Sequence, residues 1–266
     1  MICVTLFKSI TMKKLLSACL LLLLFACNDN NSSSKENGNS VTADSENEST
    51  TAGCGKLILF HKGAIIEGTS YDASGKETSK TTTTVTDVKD EGGMLIATSS
   101  ALMNSSATGD KTMNLVYKCD GNNLYMDINS MLQNFEGLSK LKGDIKPIQF
   151  PINISVGQTL PDASYTISMD RGPVKMDITA TYKNRTVLAK EKITTTAGSW
   201  DCYKVNTDIE SDVQGLDAET KKMMDAVKDK MKMSMIMWYN PELGIVRMEM
   251  YQSGKLNIRT DITSIK

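Results

Sequence analysis

The feature that most constrains the fold is a series of short segments with alternating apolar and polar residues, which runs from Lys56 to the C-terminus. The clearest alternation places four methionines at every second position, at Met231, Met233, Met235 and Met237. A period of two is typical of a β-strand with one buried face. Turn pairs such as Asp120-Gly121 and Lys183-Asn184 separate the segments. The pattern predicts an all-β fold of about eleven antiparallel strands.

Two segments have a period of three to four instead, and we predict short helices there, at Ile128–Leu141 and Asp217–Lys228. We expect the strands, the first at Leu57–His61, to form an antiparallel barrel or half-barrel with few free edges. The run Gly63–Lys76 echoes the run Gly244–Lys255, with a spacing that differs by one residue. This echo suggests two related halves.

The N-terminal residues have the order of a secretory signal. Lys13 and Lys14 precede an apolar run of eleven residues, Leu15–Phe25, and Ala26-Cys27 follows. A membrane-spanning helix needs about 20 apolar residues, so the run is too short to be an anchor. Leu24-Phe25-Ala26-Cys27 resembles the lipobox of bacterial lipoproteins. We predict that residues 1–26 are a signal peptide with its natural start at Met12, and that Cys27 is lipidated; cleavage without lipidation is the alternative.

Residues 28–53 contain almost nothing that could be buried. We predict that this stretch is a disordered tether with an end-to-end distance of roughly 25–30 Å. Lipid on Cys27 would then hold a β-rich domain, residues 54–266, close to a membrane of the cell envelope. Asn28 follows Cys27, which favours sorting to the outer membrane.

Charge and cysteine content exclude several classes of function. Loss of residues 1–26 removes three lysines and changes the net charge from −1 to −4. A mildly acidic domain offers no electrostatic basis for binding nucleic acid. Cys54, Cys119 and Cys202 are too far apart for a C-x-x-C metal or redox motif. An oxidising envelope allows two of these three to form a disulfide, and the sequence leaves all three pairings open.

Catalytic residues are hard to identify in this chain. His61 is the single histidine, so any histidine base would have to be this residue. A structural or solvated role is the stronger interpretation for it. Asp127, Glu136 and Glu249 are candidates for a two-carboxylate hydrolytic site by residue type alone. We therefore expect no enzyme, cofactor or metal, and keep an envelope hydrolase as the alternative.

Methionine is the most distinctive residue type. We expect one apolar face to form across two neighbouring strands, from Met231, Met233, Met235, Met237, Val246, Met248 and Met250. Three interpretations compete: a core filled with flexible side chains, a cavity for a lipid-like ligand or partner peptide, and a Cu(I) site. The metal ranks last because neighbours on one strand face lie about 7 Å apart. A ligand cavity at this face is the expectation that a structure would test.

Five separated blocks carry a family resemblance. They are Phe60–Lys76, Tyr117–Asp127, Ser155–Pro161, Ala197–Lys204 and Trp238–Gly244. In this order they resemble the TapB-like family of uncharacterised envelope lipoproteins, with a departure at His61, where that family has an aromatic residue. The resemblance implies an exported β-rich domain and brings no catalytic residues with it. The function that we expect is binding of an apolar ligand or a protein partner in the envelope.

Overall fold

The computed structural model describes residues 53–105, 109–132, 138–171, 174–227 and 232–266. The predicted signal peptide, the lipidation of Cys27 and the tether therefore lie outside the described residues. The same is true of Glu136 and Met231.

Thirteen strands, two helices and two 3-10 turns make up the described part of the chain. The 3-10 turns are Cys54–Lys56 and Ile58–Phe60, and the helices are α1, Ile128–Leu132, and α2, Ala218–Val227. Neither helix is both long and apolar enough to cross a membrane. The strands are β1 Ile65–Asp72, β2 Glu77–Glu91, β3 Met94–Ser105, β4 Gly109–Cys119, β5 Asn123–Met126, β6 Leu138–Lys146, β7 Ile148–Pro151, β8 Ala163–Arg171, β9 Val174–Thr195, β10 Gly198–Gln214, β11 Met233–Asn240, β12 Gly244–Gln252 and β13 Lys255–Ile265.

All described strands belong to one antiparallel sheet with the order β6-β8-β9-β10-β11-β12-β13-β1-β2-β3-β4-β5-β7. Its two ends, β6 and β7, are separated in the chain only by Pro147. β6 pairs with β8, whereas β7 pairs with β5. One extended segment thus lies along both ends of the sheet, which curls into a nearly closed barrel. The prediction of an all-β antiparallel barrel with two short helices is confirmed.

The inner face of the barrel holds the main hydrophobic core, because alternate residues of each strand point inward. A second, smaller cluster contains Ile193, Cys202, Trp238 and Val246. The tip of the β9–β10 hairpin reaches β13 across the outer face, where the Thr196 hydroxyl donates to the Thr263 carbonyl at 3.1 Å. The hairpin is long enough to fold over its own sheet because β9 and β10 span 22 and 17 residues.

The segment Cys54–Phe60 closes one end of the barrel, and we call it the N-terminal plug. A disulfide joins Cys54 to Cys119 at the end of β4, and both residues are fully buried. Leu57 and Phe60 pack into the main core. The Ile58 amide donates to the Glu242 carbonyl at 2.8 Å. Of the three open cysteine pairings the structure forms this one, and Cys202 is a buried free thiol.

Three local predictions are wrong, each for a tertiary reason. The expected strand Leu57–His61 forms 3-10 turns, because its apolar residues cover the barrel end and do not join the sheet. The expected helix ends at Leu132 as described, and Leu138–Leu141 lies in β6, which closes the barrel. The expected turn at Lys183-Asn184 lies inside β9, where an irregular register and a φ of 52° at Asn184 absorb the turn residues.

The two hairpins that suggested related halves lie side by side, since β1 pairs with β13. The pairing of β1 with β2 shifts register just before Tyr71, and the pairing of β12 with β13 shifts just before Tyr251. Both hairpins thus have the same irregularity at the same position of the sequence echo. The origin of the fold in two related halves stays a prediction.

Candidate functional site

The described methionines of the predicted face belong to the packed core. Met233, Met235 and Met237 are 6%, 6% and 2% exposed on the inner side of β11. Met235 pairs with Met250 and Met237 pairs with Met248 across the β11–β12 ladder. None of these five residues lines the apolar cavity on the inner side of the barrel. Their placement is that of the core-filling interpretation, and the cavity expected at this face lies elsewhere.

Val246 does not share that face. Trp238 pairs with Arg247 and Tyr239 pairs with Ile245, so Val246 is the extra residue of a β-bulge. A bulge changes the side to which the following side chains point. Val246, 1% exposed, therefore packs with Trp238 in the smaller cluster. The period of two that predicted one continuous face is interrupted here.

The cavity has a volume of about 140 Å³ and lies between the N-terminal plug and the inner faces of strands from both sides of the barrel. Leu59 contributes the wall from the plug, and Phe150 contributes the wall from β7. The lining contains no charged residue. Its members are Leu59, Ile66, Thr83, Tyr117, Leu124, Met126, Phe150, Leu243, Gly244, Ile245 and Ile262.

Small residues lie between the two strands that form one part of the cavity wall. Three consecutive inward positions of β3 carry small residues, Ala97, Ser99 and Ala101, all fully buried. Thr83 pairs with Ala101, and Tyr117 pairs with Ala97. These small side chains do not reach the cavity, and Thr83 and Tyr117 on the flanking strands form this part of its wall.

Gly244 lines the cavity beside Leu59 and has no side chain that would occupy the space between them. Its φ is +84°, a conformation that side-chain-bearing residues rarely adopt. A Cβ at this position would lie 3.3 Å from Leu59 Cδ1. Glycine therefore allows both the turn between β11 and β12 and the close approach of the plug.

Tyr117 is the aromatic residue with a polar group in the lining. Burial raises the pKa of the Tyr117 phenol to about 12. The hydroxyl consequently stays neutral at physiological pH, and it can both donate and accept a hydrogen bond. The alternation Met113, Leu115, Tyr117 and Cys119 puts Tyr117 on one face of β4, and nothing in the sequence marks it as a cavity residue.

A stack of three side chains supports the wall behind the cavity. The Phe150 ring stacks on the Tyr239 ring at a centroid distance of 4.9 Å, and the Arg185 guanidinium lies 5.1 Å from the centre of the Phe150 ring. Arg185 is fully buried and donates to the Pro161 carbonyl at 2.7 Å and the Gln149 carbonyl at 2.9 Å. Burial lowers the pKa of Arg185 to about 10.

Arg185 therefore ties the end strand β7 to β9 and keeps the barrel closed at this end. The sequence reasoning missed this residue. No local signal could have revealed it, because Arg185 follows Lys183-Asn184 in a stretch with the composition of an exposed turn.

The candidate catalytic residues that the structure describes, Asp127, Glu249 and His61, each have a local structural contact. Asp127 forms an ion pair with Lys118 at 2.8 Å. Glu249 accepts a hydrogen bond from the Tyr251 hydroxyl at 2.5 Å, which together with burial raises the pKa of Tyr251 to about 12. His61 is exposed, and its Nε2 lies 2.8 Å from the Gly55 carbonyl oxygen, so it bridges the two ends of the plug.

Metal and thiol chemistry find no site in the parts of the chain that the structure describes. No group of three or more His, Cys, Asp and Glu side chains there is arranged to hold a metal ion. Cys202 is fully buried, and burial raises the pKa of its thiol to about 11. A thiol held in this way is a poor nucleophile near neutral pH.

A family model described as DUF3108-like matches residues 61–261. The chain belongs to the DUF3108-like family. The match extends from just after the plug to β13, so the DUF3108-like region includes almost all of the barrel. A comparison with curated proteins finds no match.

Two solved structures share the fold. An inferred exported protein with a YmcC-like fold from Bacteroides fragilis is 18% identical, with a TM-score of 0.57 over 77% of this chain and 96% of that chain. An inferred lipoprotein from Parabacteroides distasonis is 19% identical, with a TM-score of 0.57 over 78% of this chain and 96% of that chain. At this identity the likeness shows the shared fold of the DUF3108-like chain and no shared function.

Proposed function

We propose that this DUF3108-like chain is an exported lipoprotein, held to the membrane through lipid on Cys27, whose barrel binds the apolar end of a lipid-like ligand. The observation that carries the proposal is the uncharged cavity of about 140 Å³ bordered by Leu59, Phe150 and Ile262. Apolar space of this kind is the default place for an apolar ligand.

The volume of the cavity limits what can enter it. An apolar cavity of about 150 Å³ in another protein binds one benzene molecule. Pockets that enclose a whole drug-sized molecule measure roughly 300–1,000 Å³. At about 140 Å³ the cavity therefore accommodates one apolar group of about six carbon atoms, such as the tip of an acyl chain. The remainder of a larger ligand would extend outside the barrel.

Several observations support a location in the cell envelope. The lipobox-like Leu24-Phe25-Ala26-Cys27 and the polar stretch 28–53 have the order of an exported, tethered lipoprotein. The two structural neighbours have names that describe an exported protein and a lipoprotein. The blocks that resemble TapB-like envelope lipoproteins lie in the same barrel. We further propose that the lipoprotein is sorted to the outer membrane, because Asn28 follows Cys27.

A partner protein is the other occupant that the sequence suggested, and an anchoring apolar side chain of a partner would need the same volume. No observation favours the hydrolase alternative, because Asp127 and Glu249 are each engaged in a local contact. We therefore place the ligand first and treat a protein partner as an outcome of the experiment.

The experiment uses benzene as a probe of the cavity. Benzene is titrated into the folded domain while the methyl resonance of Met126, which lines the cavity, is followed by NMR. We expect saturable shifts at Met126. Ile262→Phe fills part of the cavity and should abolish them, whereas Leu188→Phe, at a side chain 52% exposed, should leave them intact. Absence of saturable binding to the unmodified protein would refute the cavity as a ligand site.

The cellular location and the natural ligand are tested with protein purified from native membranes. Mass spectrometry of the purified protein should find an acylated N-terminal Cys27, and lipid extraction should recover a bound lipid. A mature N-terminus other than acylated Cys27 would end the lipoprotein proposal. Recovery of a stoichiometric protein without lipid would favour the partner instead.

A further inference from the structure

Three hydroxyl groups lie on neighbouring strands, and two of them, those of Thr83 and Tyr117, line the apolar cavity and narrow the class of ligand that it can bind. We infer that the cavity selects an uncharged ligand with one oxygen atom in its buried part, a hydroxyl or carbonyl group that hydrogen-bonds Tyr117. This inference rests on the proposed function and specifies the ligand of the same site.

The hydroxyls belong to Thr83 on β2, Ser99 on β3 and Tyr117 on β4. Thr83 and Tyr117 line the cavity directly. They pair with Ala101 and Ala97, the positions on either side of Ser99 on the inner face of β3. Strand geometry therefore sets the three residues on a diagonal across the inner face, with about 8 Å between successive Cα atoms. Ser99 thus lies between Thr83 and Tyr117, the two hydroxyl residues of a lining that is otherwise made of apolar residues and Gly244.

None of these hydroxyls has a hydrogen-bond partner among the residues that the structure describes. Ser99 is fully buried, its Oγ is unpaired, and it is not part of the cavity lining. Thr83 and Tyr117 are half-buried and line the cavity, and neither hydroxyl bonds to a residue within the described ranges. Buried polar groups in folded proteins are nearly always paired, and an unpaired one lowers stability. The Thr83 and Tyr117 hydroxyls thus keep free hydrogen-bonding capacity on the cavity wall, which an oxygen atom of a bound molecule can use.

The charges around the cavity select an uncharged group. No Lys, Arg, Asp or Glu is part of the lining, so a buried carboxylate or ammonium would have no partner. Arg185 lies behind the Phe150 ring and donates to two backbone carbonyls. The Tyr117 phenol is neutral and serves as the donor to that oxygen.

The experiment compares two probes of equal carbon number, benzene and phenol, in three proteins. In Tyr117→Phe the cavity keeps its shape and loses one hydroxyl. We expect phenol to bind this variant about five-fold more weakly than it binds the unmodified protein, the loss that corresponds to one net hydrogen bond. Benzene affinity should change by less than about two-fold, because benzene makes no such bond.

Tyr71→Phe is the matched control. Tyr71 lies on the outer side of β1, next to the Arg259 guanidinium. Its substitution should therefore leave the affinities for benzene and phenol unchanged. If Tyr117→Phe does not fold, the unmodified protein decides: phenol should bind about five-fold more tightly than benzene, and equal affinities for the two probes would overturn the inference.

The outcomes separate the two proposals. Failure of both probes to bind the unmodified protein refutes the proposed function. If benzene binds and phenol has the same affinity for the unmodified protein and for Tyr117→Phe, the inference is overturned and the proposed function remains. A selective loss of phenol affinity supports both.

Discussion

The disulfide between Cys54 and Cys119 should be the largest single contribution to the stability of the barrel end that contains the cavity. It attaches the N-terminal plug to β4, and both cysteines are fully buried. Replacing both residues by alanine removes the covalent link and leaves the plug held by the packing of Leu57, Leu59 and Phe60 and by the Ile58–Glu242 backbone hydrogen bond. The same change loosens the wall that Leu59 contributes to the cavity.

The magnitude follows from the length of the closed loop. The two cysteines are 65 residues apart. Loop-closure entropy for a loop of that length corresponds to about 4 kcal/mol of unfolding free energy at 25 °C. For a domain of 150–250 residues, each kcal/mol lowers the midpoint of thermal unfolding by about 2–4 °C. We therefore expect the double alanine variant to unfold roughly 8–16 °C below the unmodified protein.

Thermal unfolding is followed by circular dichroism, with and without a reducing agent. Reduction should lower the midpoint of the unmodified protein by the same amount and have no effect on the double variant. Cys202→Ala is the control, since Cys202 is the free thiol, and this variant should respond to reduction as the unmodified protein does. A double variant that unfolds within about 3 °C of the unmodified protein would contradict a loop-closing role for this disulfide.

Three further substitutions test the core, the cavity phenol and the plug contact. Met235→Ala should lower the free energy of unfolding in urea by about 2–5 kcal/mol, and a loss below about 1 kcal/mol would contradict its core position. Burial raises the pKa of Tyr117 from its usual value of 10.0 to about 12, so its neutral form stabilises the fold below pH 10 and that contribution is lost as pH rises towards 12. The unmodified protein should therefore lose about 1.4 kcal/mol more than Tyr117→Phe between pH 9 and pH 11 in urea titrations, and parallel losses would exclude this effect. Gly244→Ala and Gly75→Ala both place a side chain at positive φ and should each cost about 1–2 kcal/mol. Only Gly244→Ala approaches Leu59, so benzene affinity should fall in that variant alone, and an equal fall in both would exclude the contact as its cause.

Much of the fold was predictable because hairpins are local. The turn residues Ala73–Lys76 join β1 to β2, and Ser253-Gly254 join β12 to β13, as the turn signals indicated. In each case the information lies within a few residues, since the turn chemistry and the alternation of adjacent strands suffice to define a hairpin.

The candidate site was less predictable, because its residues come from distant parts of the chain. Leu59, Tyr117 and Ile262 meet only after the sheet has curled. The Met-rich alternation correctly identified an inner face of β11 and could not distinguish packed core from cavity wall. That distinction depends on the lining residues of β2 and β4, strands that lie far from β11 in both sequence and sheet order.

The sequence by itself determined the β class, most hairpins and the alternation that defines inner and outer faces, because these follow from neighbours along the chain. Tertiary structure alone decided the rest. Part of the segment Leu138–Pro151 has a helical period, but the segment forms strands because it pairs with β8 at one end of the sheet and with β5 at the other. Val246 changed face at a bulge, and Cys54 paired with Cys119 when the plug packed onto the barrel end. Each of these outcomes depends on contacts between residues far apart in sequence, which local periodicity does not encode.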